Sequence, residues 1–266
     1  MNVYNAITHR RSYRGKFKER PIDDADLDRI IEAARWTPSP FNVQPWELVF
    51  IKDQNGKDIL ANMAEQAIMK QFKDTQFLDE NSQWMRLNEE EWTERGDGVL
   101  LTDHVNLPQL IQNAPEKFTQ NILRVLLNYA KPLSFLGYIG LGKLPAQDIA
   151  TQVRESPVLL LITMNNRRQP PGEGGTRWMW LSMGMLIQNI LLAATSINIG
   201  VQFVSAPLET QKDRTQIQQH FNIPDYLEVI TLLRMGYTKT EEGNSVRLEP
   251  NEFVHYEKYT RQEGRK

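Results

Sequence analysis

The sequence predicts a mixed α+β fold built around one large core. Helical spacing of apolar residues recurs at 24–36 and 178–197, and shorter segments between and after them are rich in β-forming residues. Strands are predicted at 46–52, 157–163, 200–204 and 226–235. With 266 residues, of which 40% are hydrophobic, the chain is long enough for one core of ordinary composition. We therefore expect a single domain over residues 1–266.

The first predicted element is a short helix at the N-terminus. Val3, Ala6 and Ile7 fall on one face of this helix at the spacing of an amphipathic segment. Its C-terminal end would then deliver Arg10 and Ser12, which belong to a polar cluster.

A second helix is predicted at 24–36, with Asp23 as its N-cap and Pro38 just beyond its end. The strand at 46–52 alternates and contains β-forming residues. The polar loop between them therefore lies where this strand begins.

The C-terminal half contains the remaining regular elements. The continuous apolar run at 157–163 is typical of a buried strand, and the long helix at 178–197 is apolar nearly all round. After the strand at 200–204, a helical segment is predicted at 207–221. We expect Gly236 to close the last strand.

Residues 76–152 are predicted to form an inserted lobe or lid within the single domain. A helical pattern at 58–74 precedes the lobe, and apolar spacing predicts another helix near 118–126 inside it. Three glycines fit neither the GxGxxG nor the Walker spacing and indicate a surface loop: Gly137, Gly140 and Gly142.

Charge and histidine spacing argue against several classes of function. The net charge is −2, from 31 basic and 33 acidic residues, so we expect neither nucleic acid nor an anionic membrane as a partner. The four histidines have no metal-ligand spacing, so no metal site is predicted.

The chain contains no cysteine, which removes disulfides and a cysteine nucleophile and fits a reducing compartment. No apolar run follows a basic N-terminus, so no signal peptide is predicted and we expect a cytoplasmic protein. Residues 178–197 have the length of a membrane span, but polar residues interrupt them and no second span exists. A buried core helix is therefore favoured over a membrane helix.

Two polar clusters flank the helix at 24–36. The first, Arg10-Arg11-Ser12-Tyr13-Arg14, offers three guanidinium groups and a hydroxyl that can hold a phosphate. The second, residues 38–46, contains two prolines that stiffen a loop carrying Ser39, Asn42 and Gln44. These side chains can donate and accept hydrogen bonds at the edge of a heterocycle. The pair of clusters indicates an anion site combined with a site for a planar ring.

This order of residues, together with Arg247 after Gly236, resembles the FMN-dependent nitroreductase family. The resemblance implies an α+β fold with a central, mainly antiparallel sheet flanked by helices, assembled as an intertwined homodimer. It implies that Arg10, Ser12 and Arg14 bind the FMN phosphate and ribityl chain, with Arg11 adjacent and Arg247 completing the phosphate site.

The resemblance also implies that residues matching Pro38, Ser39, Pro40 and Asn42 line the flavin of the neighbouring subunit. Pro40 and Phe41 depart from the small polar residues common in the family, which leaves backbone contacts at these positions. Gln44 is a further candidate, although Pro45 and Trp46 beside it also fit plain strand and core roles.

Glu173 and Gly174 lie where the family places backbone donors near the flavin N5, and an ordinary turn fits them equally well. Ser205 lies near the position at which dehalogenating and flavin-fragmenting members carry a hydroxyl beside N5. Trp178, Met179 and their neighbours form a Met and Trp stripe that favours core or dimer packing over a cofactor box.

The resemblance implies an oxidoreductase that passes electrons from NADH or NADPH through FMN to an electron-poor acceptor, such as a nitroaromatic or a quinone, by a ping-pong mechanism. Two alternatives stay open. One is a specialised flavoenzyme of the same fold, which dehalogenates, dehydrogenates or fragments flavin. The other is a flavin-binding protein without catalysis. The lobe at 76–152 is expected to select the acceptor.

Overall fold

The computed structural model describes residues 1–100, 143–239 and 243–259. The chain divides into two compact units: Met1–Ala67 with Ala146–Gly243, and Ile68–Pro145 with Asn244–Lys266. The predicted helix near 118–126 and the three glycines at 137–142 lie outside the described residues. The organisation as a single domain with a lobe at 76–152 stays a prediction.

The described helices are α1 (Val3–His9), α2 (Asp24–Arg35), α3 (Gln54–Gln71), α4 (Thr75–Ser82), α5 (Glu89–Arg95), α6 (Lys143–Arg154), α7 (Gly175–Ser196) and α8 (Gln211–His220). The described strands are β1 (Trp46–Ile51), β2 (Met85–Arg86), β3 (Val99–Leu100), β4 (Val158–Asn165), β5 (Ile199–Phe203) and β6 (Leu227–Tyr237). Short 3₁₀ turns occur at Pro40–Asn42, Ala206–Leu208 and Pro250–Glu252.

Four strands of the first unit form one antiparallel sheet in the order β1-β4-β6-β5. Trp46 pairs with Met164, and Asn165 pairs with Leu227, so β1 and β6 begin at the end of the sheet where β4 finishes. The loops at 38–45 and 166–174 therefore leave the sheet at the same end. β1 and β5 are the outermost strands.

Helices cover both faces of this sheet. Leu160 and Ile162 of β4 pack in the cluster that contains α2 and α7, while Leu159 and Leu161 pack in the cluster that contains α3, α6 and α8. Because successive strand residues point to opposite faces, a strand buried on both faces is apolar at nearly every position. This explains the continuous apolar run of β4, in which every residue is buried.

The predicted α+β fold with a mainly antiparallel sheet is confirmed, with boundaries that differ by a few residues. The last strand does not close at Gly236, because β6 runs on to Tyr237. The helical segment predicted at 207–221 is divided: a 3₁₀ turn at Ala206–Leu208 precedes α8, whose N-cap is Thr210.

Asp23 occupies the predicted N-cap position of α2, but its side chain makes no capping hydrogen bond. Its carboxylate instead accepts a hydrogen bond from the Tyr237 hydroxyl at 3.0 Å, and Asp26 accepts from the same hydroxyl at 2.6 Å. Burial and the hydrogen bond to Asp26 raise the pKa of Tyr237 to about 12. This contact ties the start of α2 to the end of β6.

The second unit contains a buried arginine. Arg86 is nearly inaccessible and pairs with Asp97 at 2.5 Å, just after the turn at Gly96 that ends α5. The hydrogen bond from Arg86 is the main reason why the pKa of Asp97 lies below its usual value. A charged partner offsets part of the desolvation cost of this buried guanidinium.

Candidate cofactor site

The cradle segment, residues 10–17, lies along the outer edge of β5. Ser12 forms a parallel bridge with Val201, and the Tyr13 N–H donates to the Val201 carbonyl at 3.0 Å. Tyr13 is 2% exposed, whereas Ser12 is half-buried and Arg14 is exposed. Because side chains alternate along an extended segment, burial of Tyr13 turns Ser12 and Arg14 away from the core. The polar groups of the first cluster are thus presented outward.

Two glycines make room for the aromatic rings that hold this segment. Gly200 of β5 pairs with Gly236 of β6. A Cβ at Gly200 would lie 2.7 Å from Tyr13 Cγ, and a Cβ at Gly236 would lie 2.5 Å from Phe17 Cγ. The two rings stack on each other with centroids 5.2 Å apart. Only residues without a side chain at 200 and 236 allow this approach.

Arg10 and Arg11 follow α1 directly. The Arg10 N–H donates to the Ala6 carbonyl at 3.0 Å, so Arg10 is the C-cap of α1. The Arg11 guanidinium donates to the carbonyls of Thr8 and Arg10, at 2.8 and 2.9 Å. Its Nε is buried and makes no hydrogen bond. Arg11 therefore supports the end of α1 while retaining one buried donor.

The second cluster forms a tight loop before β1. The hydroxyl oxygen of Ser39 accepts the Gln44 N–H at 3.0 Å, and the Gln44 side-chain amide donates to Asn42 Oδ1, also at 3.0 Å. Pro40 begins the 3₁₀ turn, while Pro38 is exposed just before it. The polar side chains of this loop thus bond mainly to one another.

Three residues of this loop have left-handed backbone conformations without being glycine. The φ angles of Phe41, Asn42 and Gln44 are 53°, 53° and 45°. Such conformations cost about 1 kcal/mol or more for residues that carry a Cβ. The Phe41 side chain is also 79% exposed, so its own burial does not offset this strain. Strain of this kind is concentrated at ligand sites and interfaces.

Contacts from neighbouring elements hold the strained loop. The Arg168 guanidinium donates to the Gln44 carbonyl at 3.0 Å, and the Asn165 N–H donates to the Pro45 carbonyl at 2.7 Å. The Asn189 side chain of α7 donates to the Thr37 hydroxyl at 2.9 Å. The loop is therefore fixed from both β4 and α7.

Glu173 and Gly174 lie in the turn before α7. Gly174 is the N-cap of that helix and its backbone is half-buried, whereas Glu173 is exposed. The first N–H groups of a helix have no intrahelical acceptors, which makes them available to a ligand. The turn leaves the sheet at the same end as the strained loop.

Ser205 follows β5 and is the N-cap of the 3₁₀ turn at Ala206–Leu208. Its side chain is exposed and makes no capping hydrogen bond. It lies four positions after Val201, the bridge partner of Ser12, so the two residues are at most about 14 Å apart. Ser205 thus lies beyond the cradle segment, toward the end of the sheet that carries the strained loop.

The topology attaches the two polar clusters to opposite edges of the sheet. The cradle segment bridges to β5, and the strained loop leads into β1. Three interstrand spacings, about 14 Å in total, separate these outermost strands. Within one chain, the cradle segment and the strained loop are therefore anchored at different edges.

Arg247 belongs to the second unit, and the structure describes its local contacts. Its guanidinium donates to the Ser245 hydroxyl and, at 2.6 Å, to the Val246 carbonyl. A Cβ at Gly96 would lie 2.8 Å from the Arg247 carbonyl, so this backbone packs against the end of α5. That Arg247 joins Arg10 at a phosphate stays a prediction.

Sequence reasoning missed three residues that position the site: Arg168, Asn189 and Arg234. Asn189 was visible as a polar interruption of the apolar helix α7. Arg234 was visible as a charge within the apolar strand β6, and it donates to the carbonyls of Tyr13 and Gly15. Arg168 gave no signal, because a surface loop commonly contains arginine.

The Met and Trp stripe of α7 is divided between the core and the surface. Met179 and Met183 are buried, whereas Trp178, Trp180 and Met185 are exposed. By length and composition alone, α7 could cross a membrane, with a mean hydropathy of 1.3. Its packing against α2 and β5 is that of a core helix.

Among residues 1–100, 143–239 and 243–259, no group of three or more acidic, His or Cys side chains could hold a metal.

Similar solved structures share this fold. An NADPH:FMN oxidoreductase of Vibrio harveyi, complexed with NAD+, is 16% identical, with a TM-score of 0.59 over 98% of this chain and 80% of that chain. An iodotyrosine deiodinase bound to FMN and 3-iodo-L-tyrosine is 17% identical, with a TM-score of 0.58 over 97% of this chain and 100% of that chain.

Sequence relatives match over shorter segments. An NADH dehydrogenase of Thermus thermophilus is 34% identical over 64 residues, which are 24% of this chain and 31% of that protein. The curated relatives are matched over between 22% and 32% of their own length. The family model described as "Nitroreductase family" matches residues 7–237. The chain belongs to the nitroreductase family.

Proposed function

We propose that this protein is an FMN-dependent oxidoreductase that passes electrons from NADH or NADPH to a small electron-poor acceptor, such as a nitroaromatic or a quinone. The observation that carries the proposal is the cradle segment, in which Ser12 and Arg14 face outward beside a buried Tyr13. The names of the relatives and of the similar structures support this choice of cofactor and donor.

The residues present fit a bound FMN phosphate. Arg10, Ser12 and Arg14 supply charge and donors on one extended segment, and the buried Nε of Arg11 is a further donor without an acceptor. A phosphate dianion requires several such groups to offset its desolvation. Arg247 is proposed to complete the phosphate site.

Pro38, Ser39, Pro40, Asn42 and Gln44 are proposed to contact the ring system. Their loop is held rigid by internal hydrogen bonds, so its donors and acceptors are ordered before a ligand binds.

FMN, when bound, would supply the electron-transfer chemistry, and the protein residues would position it. The N–H groups at Glu173 and Gly174 would orient the polar edge of the ring. Donor and acceptor would bind alternately at one face, which gives ping-pong kinetics. We assign no side chain as a general acid, and solvent would supply the proton.

A homodimer completes this proposal. The cradle segment and the strained loop are anchored at opposite edges of the sheet, so a loop from a second copy would cover the ring held by the first. Exposed apolar side chains on α1 and α7 offer an interface: Val3, Tyr4, Ile7, Trp178, Trp180, Leu181 and Met185.

A reductive dehalogenase is the second candidate, favoured by Ser205. Its exposed hydroxyl is not used as a cap and lies two residues after β5, the strand to which the cradle segment bridges. We propose a catalytic role for this hydroxyl beside the ring in that case. Turnover of a halogenated aromatic that is lost in Ser205→Ala, with quinone reduction retained, would favour this candidate.

The segment 76–152 is proposed to select the acceptor, and the lack of cysteine is consistent with a cytoplasmic location. Exchange of this segment for that of a relative should change acceptor preference more than FMN affinity. An equal loss of both would contradict this role.

The first test is the absorption spectrum of the purified protein, followed by anaerobic addition of NADH or NADPH. A flavin spectrum that bleaches supports the oxidoreductase and identifies the donor. A flavin that responds to neither donor favours a binding protein. A protein that cannot be loaded with FMN refutes the cofactor assignment.

The matched variants are Arg14→Ala in the cradle segment and Arg29→Ala on α2, both of which truncate an exposed arginine. Loss of one charge-assisted contact weakens binding by about tenfold or more. Arg14→Ala should therefore raise the Kd of FMN by this factor, while Arg29→Ala leaves it unchanged. Equal Kd values would contradict the phosphate site.

A further inference from the structure

A buried arginine lies directly beneath the cradle segment. One guanidinium nitrogen of Arg234 donates to the carbonyl of Gly15 at 2.8 Å and to that of Tyr13 at 3.2 Å. The Arg234 Nε donates to Gln202 Oε1 at 2.6 Å. The planar fork of donors thus joins the cradle segment to β5 and β6.

The same guanidinium contacts two further groups. It lies 4.6 Å from the centroid of the Phe17 ring, the ring that occupies the space over Gly236. Its other terminal nitrogen is 3.4 Å from the carbonyl of Gln152, in the last turn of α6. Carbonyl groups at a helix C-terminus carry partial negative charge, which favours a cation there.

The groups that accept hydrogen bonds from Arg234 are neutral, although its charged guanidinium is deeply buried. Arg234 is 2% exposed, and no carboxylate lies within 4.0 Å of it in the part of the chain that the structure describes. Burial lowers the pKa of Arg234 to about 10, so the group remains charged at neutral pH. By contrast, the buried Arg86 has a carboxylate partner in Asp97.

We propose that Arg234 is a positioning residue for a bound phosphate group, which it serves by fixing the carbonyls of Tyr13 and Gly15 and by placing an uncompensated positive charge beneath the cradle segment. This proposal rests on the proposed function, since the phosphate would be that of FMN. Arg234 does not touch the phosphate in this proposal, because its donors are committed to protein oxygens.

The test compares the Kd values of FMN and riboflavin, which differ by the phosphate alone. Arg234→Met removes both the positive charge and the planar set of guanidinium donors. Arg234→Lys keeps the charge but loses the planar set of donors. We expect Arg234→Met to reduce the preference for FMN over riboflavin by about tenfold, as expected for loss of one charge interaction. Arg234→Lys should retain part of the preference. If Arg234→Met does not fold, Arg234→Lys decides the comparison.

Arg214→Met is the matched control. Arg214 also donates to a backbone carbonyl, that of Leu208 at 2.6 Å, but it lies on α8, and its hydrogen bonds to described residues go to Leu208 and Gln211 rather than to the cradle segment. It should lower stability while leaving the ratio of the two Kd values unchanged. Equal weakening of FMN and riboflavin in the Arg234 variants would show a merely structural role and overturn the proposal.

A second measurement separates this inference from the proposed function. The melting temperature is measured with and without inorganic phosphate in the wild type and in Arg234→Met. If the wild type binds no FMN but phosphate raises its Tm, and this shift is lost in Arg234→Met, the FMN assignment fails and the role of Arg234 stands. If neither FMN nor phosphate binds to the wild type, both fail.

Discussion

Replacement of Gly200 by alanine tests how the cradle segment is held. The added Cβ would lie 2.7 Å from Tyr13 Cγ and 2.7 Å from Thr238 Cγ2, whereas ordinary contacts begin at 3.4 Å. Tyr13 is buried and cannot move into solvent without exposing its ring. The methyl group must therefore push Tyr13, and with it the backbone that bridges to Val201.

The expected loss of stability follows from two opposing effects. Overpacking a filled site costs about 1–3 kcal/mol, while substitution of Gly by Ala restricts the unfolded chain and returns about 0.4–1 kcal/mol. The free energy of unfolding should thus fall by about 1–2 kcal/mol. Displacement of Ser12 should also weaken FMN binding, by about tenfold if one charge-assisted contact is lost.

Two assays are used: urea unfolding gives the free energy of unfolding, and titration of the folded protein with FMN gives the Kd. Gly243→Ala is the control, because no described residue lies within 4 Å of the Cβ that it would add. It should leave the FMN affinity unchanged and raise the free energy of unfolding by at most about 0.4–1 kcal/mol, through the same restriction of the unfolded chain. Gly200→Ala with wild-type stability and wild-type FMN affinity would refute the reasoning, since the Tyr13 contact would then not determine where the cradle segment lies.

Three further substitutions test other contacts. Phe41→Gly should raise the free energy of unfolding by about 0.5–1 kcal/mol, because relief of the left-handed backbone outweighs the greater freedom of glycine in the unfolded chain. A lower melting temperature of the variant would show that the exposed Phe41 ring packs against another group. Tyr237→Phe should lower stability by about 1–2 kcal/mol at neutral pH through loss of the bonds to Asp26 and Asp23. Because the pKa of Tyr237 is raised from 10.0 to about 12 in the folded protein, the hydroxyl contributes its full stabilisation below pH 10 and loses it as pH rises to about 12. A stability difference between wild type and Tyr237→Phe that persists above pH 12 would contradict this role of the hydroxyl. Asp97→Asn should lower the free energy of unfolding by about 3 kcal/mol, because Arg86 would stay buried without a charged partner. Since the pKa of Asp97 is lowered from 3.8, the difference in stability between wild type and variant should shrink as pH falls below that value. A difference in the free energy of unfolding that stays constant in acid denaturation would exclude the ion pair.

Much of the fold could be predicted because local patterns determine it. The spacing of Leu27, Ile30, Ile31 and Ala34 predicted α2, and all of them except the exposed Ile31 are buried in the structure. The apolar run at 157–163 predicted a buried strand, and the structure shows that helices cover both of its faces. The predicted end of β6 at Met235 was wrong by two residues, because Gly236 was interpreted as a strand terminator. Its lack of a side chain instead accommodates Phe17, a contact distant in sequence.

The sequence by itself determined the elements, the antiparallel class of the sheet through its family resemblance, and the chemical nature of the two clusters. These depend on local spacing and residue type. Only the tertiary structure decided that burial of Tyr13 turns Ser12 and Arg14 outward, that Arg234 lies beneath them, and that the two clusters are anchored at opposite edges of the sheet. Such relations arise from strand order and from packing between residues far apart in the chain, which no local pattern encodes.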